Sequence, residues 1–219
     1  MYAQKYIINS FLKQFNIFDK DFFVINRMQF SKAENFISQL LKSELPHSLY
    51  YHSYEHTFDV LKAATVLAHE EEITNADDIT ILQTAALFHD CGFVNVYKNH
   101  EEEGCRIAKE VLPDFDYTNE QIEIVCSIIM KTKFGSHPET LLEKIICDAD
   151  LDYLGSDEYG IIANRLFKEL IELKKIQNEH EWNRLQVQFL QAHHYWTKSA
   201  KEKRDKKKME HLLRLKELV

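Results

Sequence analysis

The sequence predicts an all-α fold, and three observations support that prediction. Only five glycines and three prolines occur in 219 residues, whereas an all-β chain of this length would need many more turn residues. Apolar residues recur at intervals of three and four along most of the chain, which places them on one face of a helix. The composition is 45% hydrophobic and 12% aromatic, enough for a substantial core.

Two helices are expected before the first histidine-rich segment. We predict one over residues 3–15 and a second over residues 31–44. Ser31 and Glu34 have the spacing of a capping box, in which each side chain bonds the backbone of the other residue. Pro46 then ends the second helix, because proline cannot continue it.

The third and fourth predicted helices each carry a histidine on the apolar face. In the third, residues 53–71, His56 lies at helical spacing from Val60 and Leu67, so its imidazole should point inward. The apolar stripe of the fourth helix runs into His89 in the same way. Two inward histidines are thus expected on neighbouring helices.

End residues fix the limits of the other helices. Asp77 and Asp78 are expected to cap the fourth helix, and Gly92 to stop it. Pro113 closes the fifth helix, and Pro138 opens the seventh. The last five helices are predicted over residues 100–112, 119–132, 139–154, 156–177 and 181–218. Because no linker or repeat interrupts them, residues 1–219 are predicted to form a single domain.

Charge and cysteine usage limit the partners and the compartment. A net charge of -8 opposes binding to a nucleic acid polymer or an anionic membrane, and it would repel a phosphate substrate unless a cation were bound locally. The N-terminus lacks the features of a signal peptide, and no apolar run is long enough to span a bilayer. The four cysteines form no C-x-x-C pair, so reduced thiols and a cytoplasmic location are expected.

Three distant segments each end an apolar stripe in a possible metal ligand. These residues are His56, the adjacent pair His89 and Asp90, and Asp150. One buried histidine alone is usually an ordinary hydrogen-bonded core residue, but three such segments in one chain indicate a shared cation. Imidazole and carboxylate ligands suit Mn²⁺, Mg²⁺, Fe²⁺ or Zn²⁺.

These motifs resemble a known family. His56 in YHSYEHTFDV, the doublet in AALFHDCGF and Asp150 in CDADLDYLG are similar to the HD superfamily of metal-dependent phosphohydrolases. The resemblance implies an HD-like helical bundle around a metal, with its core at about residues 30–175 and flanking helices at 1–29 and 176–219. It also implies hydrolysis of a phosphoester or phosphoanhydride, commonly of a nucleotide or signalling nucleotide.

The resemblance assigns the metal ligands and the catalytic aspartate. His56, His89, Asp90 and Asp150 would bind the metal, and Asp90 would also bridge metal and water. Asp148 fits the last position less well, because the family places that ligand directly after the alanine.

Further catalytic and substrate-binding residues are also predicted. His52, one turn before His56, resembles the residue that protonates the leaving oxygen in cyclic-nucleotide phosphodiesterases. His100, in NHEEEGCRIAKEVLP, could share that role or help to hold a second metal. His137 is the other candidate ligand for a second metal. Lys131 and Lys133 could bind substrate phosphate, although lysines also favour a helix C-terminus for electrostatic reasons. One metal is expected, and a second stays open.

Three other functions remain open. The string from His52 to His56 also fits H-x-x-E-H, the inverted zinc-peptidase motif with Glu55 as base, but that mechanism leaves Asp150 unused. A metal- or nucleotide-binding regulatory module without turnover is the second alternative, and a di-iron oxygenase on the same bundle is the third. The terminal helices could shape substrate access or a homodimer contact.

Overall fold

The structure is a computed structural model that describes residues 28–219, and this part of the chain is all-α, as predicted. It contains nine α-helices, three short 3-10 helices and no strand. The α-helices are α1 (Phe30–Glu44), α2 (Tyr54–Glu70), α3 (Ala76–Phe88), α4 (His100–Val111), α5 (Asn119–Lys131), α6 (Leu141–Asp150), α7 (Tyr159–Glu172), α8 (Glu179–Ala192) and α9 (Lys198–Lys216). The helix predicted over residues 3–15 lies outside the described residues.

Helix α3 forms the centre of the fold. From Ile81 to Phe88 every residue except Gln83 is buried, so this helix is apolar on all sides and needs neighbours all round. Helices α1, α2, α5 and α6 supply them. His89 and Asp90 follow directly at the C-terminal end of α3, which places both in the interior of the bundle.

The predicted caps of the second and fourth helices are wrong. Helix α1 begins at Phe30 with Gln29 as its N-cap, because the Gln29 amide donates to the Phe115 carbonyl oxygen at 2.9 Å and anchors the start earlier. Ser31 therefore lies inside the first turn and forms no capping box.

Asn75, rather than Asp77 or Asp78, caps α3. The Asn75 side chain accepts hydrogen bonds from the amides of both aspartates, which then lie in the first turn where their charge favours the helix dipole. The helix ends at Phe88, before Gly92, and Gly92 instead belongs to a 3-10 helix at Cys91–Val94.

The seventh predicted helix is shorter than expected. Helix α6 begins after Thr140, which forms a capping box with Glu143, rather than at Pro138. It ends at Asp150, and the chain continues as a 3-10 helix at Asp152–Gly155.

The long C-terminal helix predicted over residues 181–218 is in fact two helices, α8 and α9. The break between them contains no glycine or proline, and tertiary contacts stabilise its non-helical conformation. Tyr195 is fully buried there, Thr197 caps α9, and the ammonium of Lys208 donates to the His193 carbonyl oxygen at 2.7 Å, which satisfies the end of α8.

A second, smaller apolar cluster joins the C-terminal helices to the rest of the fold. It contains Leu154, Tyr159, Ala163, Leu190, Leu212 and Leu215, from α7, α8, α9 and the 3-10 helix at Asp152–Gly155. Two hydrogen bonds from Arg204 to Asp152, at 2.7 and 2.6 Å, link α9 to the segment after Asp150. The predicted single domain stays a prediction. Within residues 28–219, no helix is both long and apolar enough to cross a bilayer.

Candidate metal centre

Four side chains from two helix ends and one helix start converge in the interior of the bundle. His56 Nε2 lies 3.1 Å from Asp150 Oδ1 and 3.5 Å from Asp90 Oδ2. His89 Nε2 lies 3.2 Å from Asp90 Oδ2 and 3.6 Å from Asp150 Oδ1. The structure therefore brings together all four residues that the sequence analysis nominated as ligands. Ligand atoms of His56, His89 and Asp150 all lie within 4.8 Å of one another, a spacing that could hold a metal ion.

The orientation of His89 leaves one ring nitrogen available. Its Nδ1 lies 2.8 Å from the Ala86 carbonyl oxygen, and because a carbonyl only accepts, Nδ1 must carry a proton. In the neutral ring, Nε2 is then an unprotonated nitrogen directed toward the carboxylates of Asp90 and Asp150. This arrangement is typical of metal-binding histidines, in which a backbone carbonyl fixes the tautomer.

Two atoms of the cluster are buried without a hydrogen-bond partner within the described part of the chain. They are His89 Nε2 and Asp90 Oδ2, which are 3.2 Å apart but are not aligned for a hydrogen bond. Each such atom costs about 1–3 kcal/mol if nothing satisfies it. A cation between them would satisfy both, so the donor set fits a divalent metal.

The charges of the cluster shift its protonation equilibria in the metal-free protein. Burial alone would lower the pKa of His89, but the nearby Asp90 carboxylate raises it well above the ordinary value. Burial would raise the pKa of Asp90, yet His89 and His100 hold it well below its usual range. Asp150 behaves like Asp90, because His56 and His89 lower its pKa. In the metal-free protein, a proton on His89 thus balances the neighbouring carboxylate charge.

Asp148 points away from the cluster. Its Oδ1 accepts from the Trp196 amide at 2.8 Å, and its Oδ2 accepts from the Thr197 amide and hydroxyl at 2.8 and 2.7 Å. These contacts occupy both oxygens at the start of α9. Asp148 therefore has a structural environment, whereas Asp150 faces the histidines.

His100 reaches the cluster because α4 packs very close to the doublet. Its Nε2 lies 3.4 Å from Asp90 Oδ1, and its ring stacks on Phe93 with centroids 3.8 Å apart. A Cβ on Gly92 would lie only 2.0 Å from the His100 carbonyl oxygen, so this approach requires glycine. His100 is thus placed beside the second oxygen of Asp90.

His52 lies at the edge of the cluster, held by a residue that the sequence analysis missed. His52 Nδ1 donates to Glu169 Oε1, a fully buried carboxylate of α7, and the two rings of His52 and His100 lie 6.2 Å apart. Glu169 falls at helical spacing from Ile162, Leu166 and Leu173 in an apolar stripe. A carboxylate in such a stripe is the same signal that pointed to Asp150, and it could have identified Glu169.

The two predicted phosphate-binding lysines already have partners. The ammonium of Lys131 donates to the His137 carbonyl oxygen at 3.0 Å and lies 3.9 Å from Glu143 Oε2. The ammonium of Lys133 pairs with Glu102, in the first turn of α4. The structure thus places Lys133 near the start of α4 and Lys131 against the loop before α6.

His137 lies on that loop, exposed, with its ring 4.8 Å from the ring of Trp196. A well-formed groove on the described part of the chain is lined by other residues. It has a volume of about 720 Å³ and lies between the α2–α3 connection, α5 and the start of α6. None of the four candidate ligands lines it. The chemistry-bearing residues and this groove are therefore separate features.

Comparisons with known proteins agree with this geometry. Residues 53–152 match the family model described as the HD domain. An uncharacterized protein from Clostridium beijerinckii is 34% identical over 77 residues, which is 34% of this chain and 48% of that protein. The chain thus spans about half the length of the curated relative that it matches.

A solved structure resembles most of the chain. The crystal structure of a predicted HD superfamily hydrolase from an uncultured Thermotogales bacterium, at 1.45 Å resolution, superposes with a TM-score of 0.56 and 20% sequence identity. The match covers 86% of this chain and 90% of that chain. At this identity, the likeness shows a shared fold.

Proposed function

We propose that this chain is a metal-dependent phosphohydrolase that cleaves a phosphoester or phosphoanhydride, because residues 53–152 match the HD domain model. We propose that its substrate is a nucleotide or signalling nucleotide, the commonest substrates that the family resemblance implies. The match supports the coarse class of hydrolase, and the substrate is the part that experiment has to decide.

One observation carries the proposal. His89 Nε2 and Asp90 Oδ2 are buried side by side without a hydrogen-bond partner in the described structure, and His56 and Asp150 complete a ring around them. A folded protein tolerates such a cluster where a cation binds, because the cation satisfies several groups at once.

The four candidate ligands would hold the divalent ion, and neighbouring residues would handle protons. A bound divalent ion lowers the pKa of water and neutralises charge on phosphoryl oxygens. Asp90 Oδ2 faces the two candidate histidine ligands, whereas Oδ1 faces His100. One carboxylate can therefore contact both the ion and a reacting group. His52, with its Nδ1 bound to Glu169, keeps Nε2 free to donate a proton to the leaving oxygen.

A bound ion would also offset the repulsion that the negative net charge predicts for a phosphate substrate. Four acidic side chains, from Asp90, Glu101, Asp150 and Glu169, lie buried or nearly buried around the site. A phosphate group would be repelled by them, so the positive charge that admits it has to come from the ion and from histidines. Hydrolysis should therefore depend strictly on added metal.

The test is a substrate screen with matched variants. Purified protein loaded in turn with Mn²⁺, Mg²⁺, Fe²⁺ or Zn²⁺ is assayed against phosphomonoesters, cyclic nucleotides and nucleoside di- and triphosphates. We expect phosphate, pyrophosphate or nucleotide release that Asp90→Ala abolishes. Elemental analysis of wild type and Asp90→Ala gives the metal count, and loss of one or two equivalents distinguishes a one-metal from a two-metal site.

Three rival functions would give different results in this screen or in a matching assay. A regulatory module without turnover would be stabilised by metal but would release nothing. An inverted zinc peptidase would lose all activity in Glu55→Gln, whereas the phosphohydrolase should keep it, because Glu55 is exposed on α2. Iron content with oxygen consumption would instead indicate an oxygenase.

A further inference from the structure

We infer that Lys175 binds a second anionic group of the substrate, one that lies away from the phosphoryl group undergoing hydrolysis. The inference rests on the proposed function and narrows its substrate class to molecules with at least two separate anionic groups, such as nucleoside di- and triphosphates. Lys175 follows α7, outside the segment that matches the HD domain.

A row of aromatic rings connects Lys175 to the candidate metal centre. The ammonium of Lys175 lies 5.2 Å from the centroid of the Tyr97 ring. That ring stands edge-on to the ring of His52, with centroids 6.4 Å apart, and 5.4 Å from the ring of Phe93. Phe93 stacks on His100, which faces Asp90. The ammonium therefore lies at the outer end of one wall of the site.

Lys175 has a charge that no carboxylate neutralises within residues 28–219. Its side chain is exposed, and its one described interaction is with the Tyr97 ring. The lysines that the sequence analysis nominated differ in this respect, since Lys131 and Lys133 contact Glu143 and Glu102. In a chain of net charge -8, an unpaired ammonium at the edge of an acidic site is suited to bind an anionic ligand.

The backbone of Lys175 is held in place, so the side chain starts from a defined point. Lys174 adopts a left-handed conformation with φ 54°, and the Lys175 amide donates to the Leu170 carbonyl oxygen at 2.8 Å. This is the bond that closes a helix in a Schellman motif. Ile176 follows and is buried, which anchors the chain on the other side. The same helix carries Glu169 to His52, so α7 and its cap form one structural unit beside the site.

The expected effect is moderate because the lysine is exposed. An exposed ion pair contributes little, so removing the Lys175 charge should weaken triphosphate binding about threefold to tenfold. Charge reversal should give the larger effect. Lys168→Glu is the matched control, since Lys168 is an exposed lysine of α7, the helix that Lys175 follows. Comparable thermal unfolding of the variants and wild type checks that folding is intact.

The experiment measures binding and catalysis separately. Calorimetry with an ATP analogue in which methylene groups replace both phosphoanhydride oxygens, so that neither anhydride bond can be hydrolysed, is run on protein with and without Mn²⁺. We expect a higher Kd in Lys175→Ala, a still higher one in Lys175→Glu, and the wild-type value in Lys168→Glu. The ratio of kcat/KM for ATP to kcat/KM for p-nitrophenyl phosphate, which has a single phosphate group, should fall by the same factor.

The outcomes distinguish this inference from the proposed function. If the wild type hydrolyses no substrate in the screen but its Kd depends on Lys175, the phosphohydrolase proposal fails and the binding role of Lys175 stands. If the wild type hydrolyses phosphoesters and both Lys175 variants bind the triphosphate like Lys168→Glu, the inference is wrong and the enzyme proposal stands. Absence of triphosphate binding by the wild type also overturns the inference.

Discussion

Glu169 holds His52 and its neighbour Tyr51 by three hydrogen bonds, one from the His52 ring and one from the backbone amide of each residue. Glu169 Oε1 accepts from His52 Nδ1 at 2.5 Å, and Oε2 accepts from the amides of Tyr51 and His52 at 2.9 and 3.1 Å. This carboxylate therefore fixes the position of the histidine ring and keeps a proton on Nδ1. Burial lowers the pKa of His52, but the hydrogen bond to Glu169 and nearby carboxylates raise it above its ordinary value.

The first prediction concerns Glu169→Gln and pH. If protonated His52 donates to the leaving group, activity is present below the raised pKa of His52 and is lost as pH rises through it. Removing the carboxylate charge lowers that pKa, so the alkaline limb of the kcat profile should move to lower pH, with kcat falling about tenfold near neutrality. Glu172→Gln, at an exposed position of the same helix, is the control. A stability loss with an unmoved pH profile would assign Glu169 a purely structural role.

The second prediction concerns metal binding by His89. Wild-type protein should melt at a higher temperature as Mn²⁺ is added, and a concentration 100 times the Kd should contribute about 2.7 kcal/mol. His89→Ala should remove the dependence of melting temperature on Mn²⁺, because the fully buried His89 imidazole supplies one of the proposed metal-binding nitrogens. His47→Ala, at an exposed histidine, should behave like wild type. Equal metal-dependent shifts in both variants would contradict the assignment.

The third prediction separates Asp148 from Asp150. In Asp148→Asn, one oxygen becomes an NH₂ group that must face a backbone amide donor, so the free energy of unfolding should fall by about 2 kcal/mol or more. Metal content should stay at the wild-type value. Asp150→Asn should show the reverse, with loss of metal-dependent stabilisation. Chemical denaturation combined with elemental analysis measures both effects, and loss of metal in Asp148→Asn would argue against this division.

The fourth prediction tests the close approach of α4 to the doublet. A Cβ in Gly92→Ala would meet the His100 carbonyl oxygen and the Gly104 amide nitrogen, at 2.0 and 2.8 Å, so α4 has to move. We expect a loss of roughly 1–3 kcal/mol in unfolding free energy and a lower kcat, because His100 is displaced from Asp90. Gly160→Ala, where a Cβ meets nothing within 4 Å, should instead be neutral or slightly stabilising. Similar behaviour of the two variants would exclude a tight contact at Gly92.

Helical periodicity was sufficient to predict the all-α fold class and the inward face of three of the four candidate ligands. A histidine or aspartate at helical spacing within an apolar stripe has to point to the interior, so His56, His89 and Asp150 could be identified as inward-facing from spacing alone. Their convergence follows because α2, α3 and α6 pack against each other. The HD-type fold is confirmed, whereas the metal-binding role of each residue stays a prediction.

The features that could not be predicted depend on contacts between distant segments. The break between α8 and α9 has no local signal, since Asp148 and the buried Tyr195 create it. The partners of Lys131 and Lys133 depend in the same way on where α4 and the loop before α6 come to lie. Cap positions failed for a related reason: several polar residues near a helix start can accept the same amide bonds, and tertiary anchoring selects one.

Asp148 and Asp150 leave the end of α6 in nearly opposite directions, because two residues of a helix span roughly 200°. The Asp148 carboxylate accepts hydrogen bonds at the start of α9, and the Asp150 carboxylate faces the histidines. The two carboxylates therefore cannot shift independently. The last turn of α6 therefore positions the start of α9 and the candidate metal centre relative to each other.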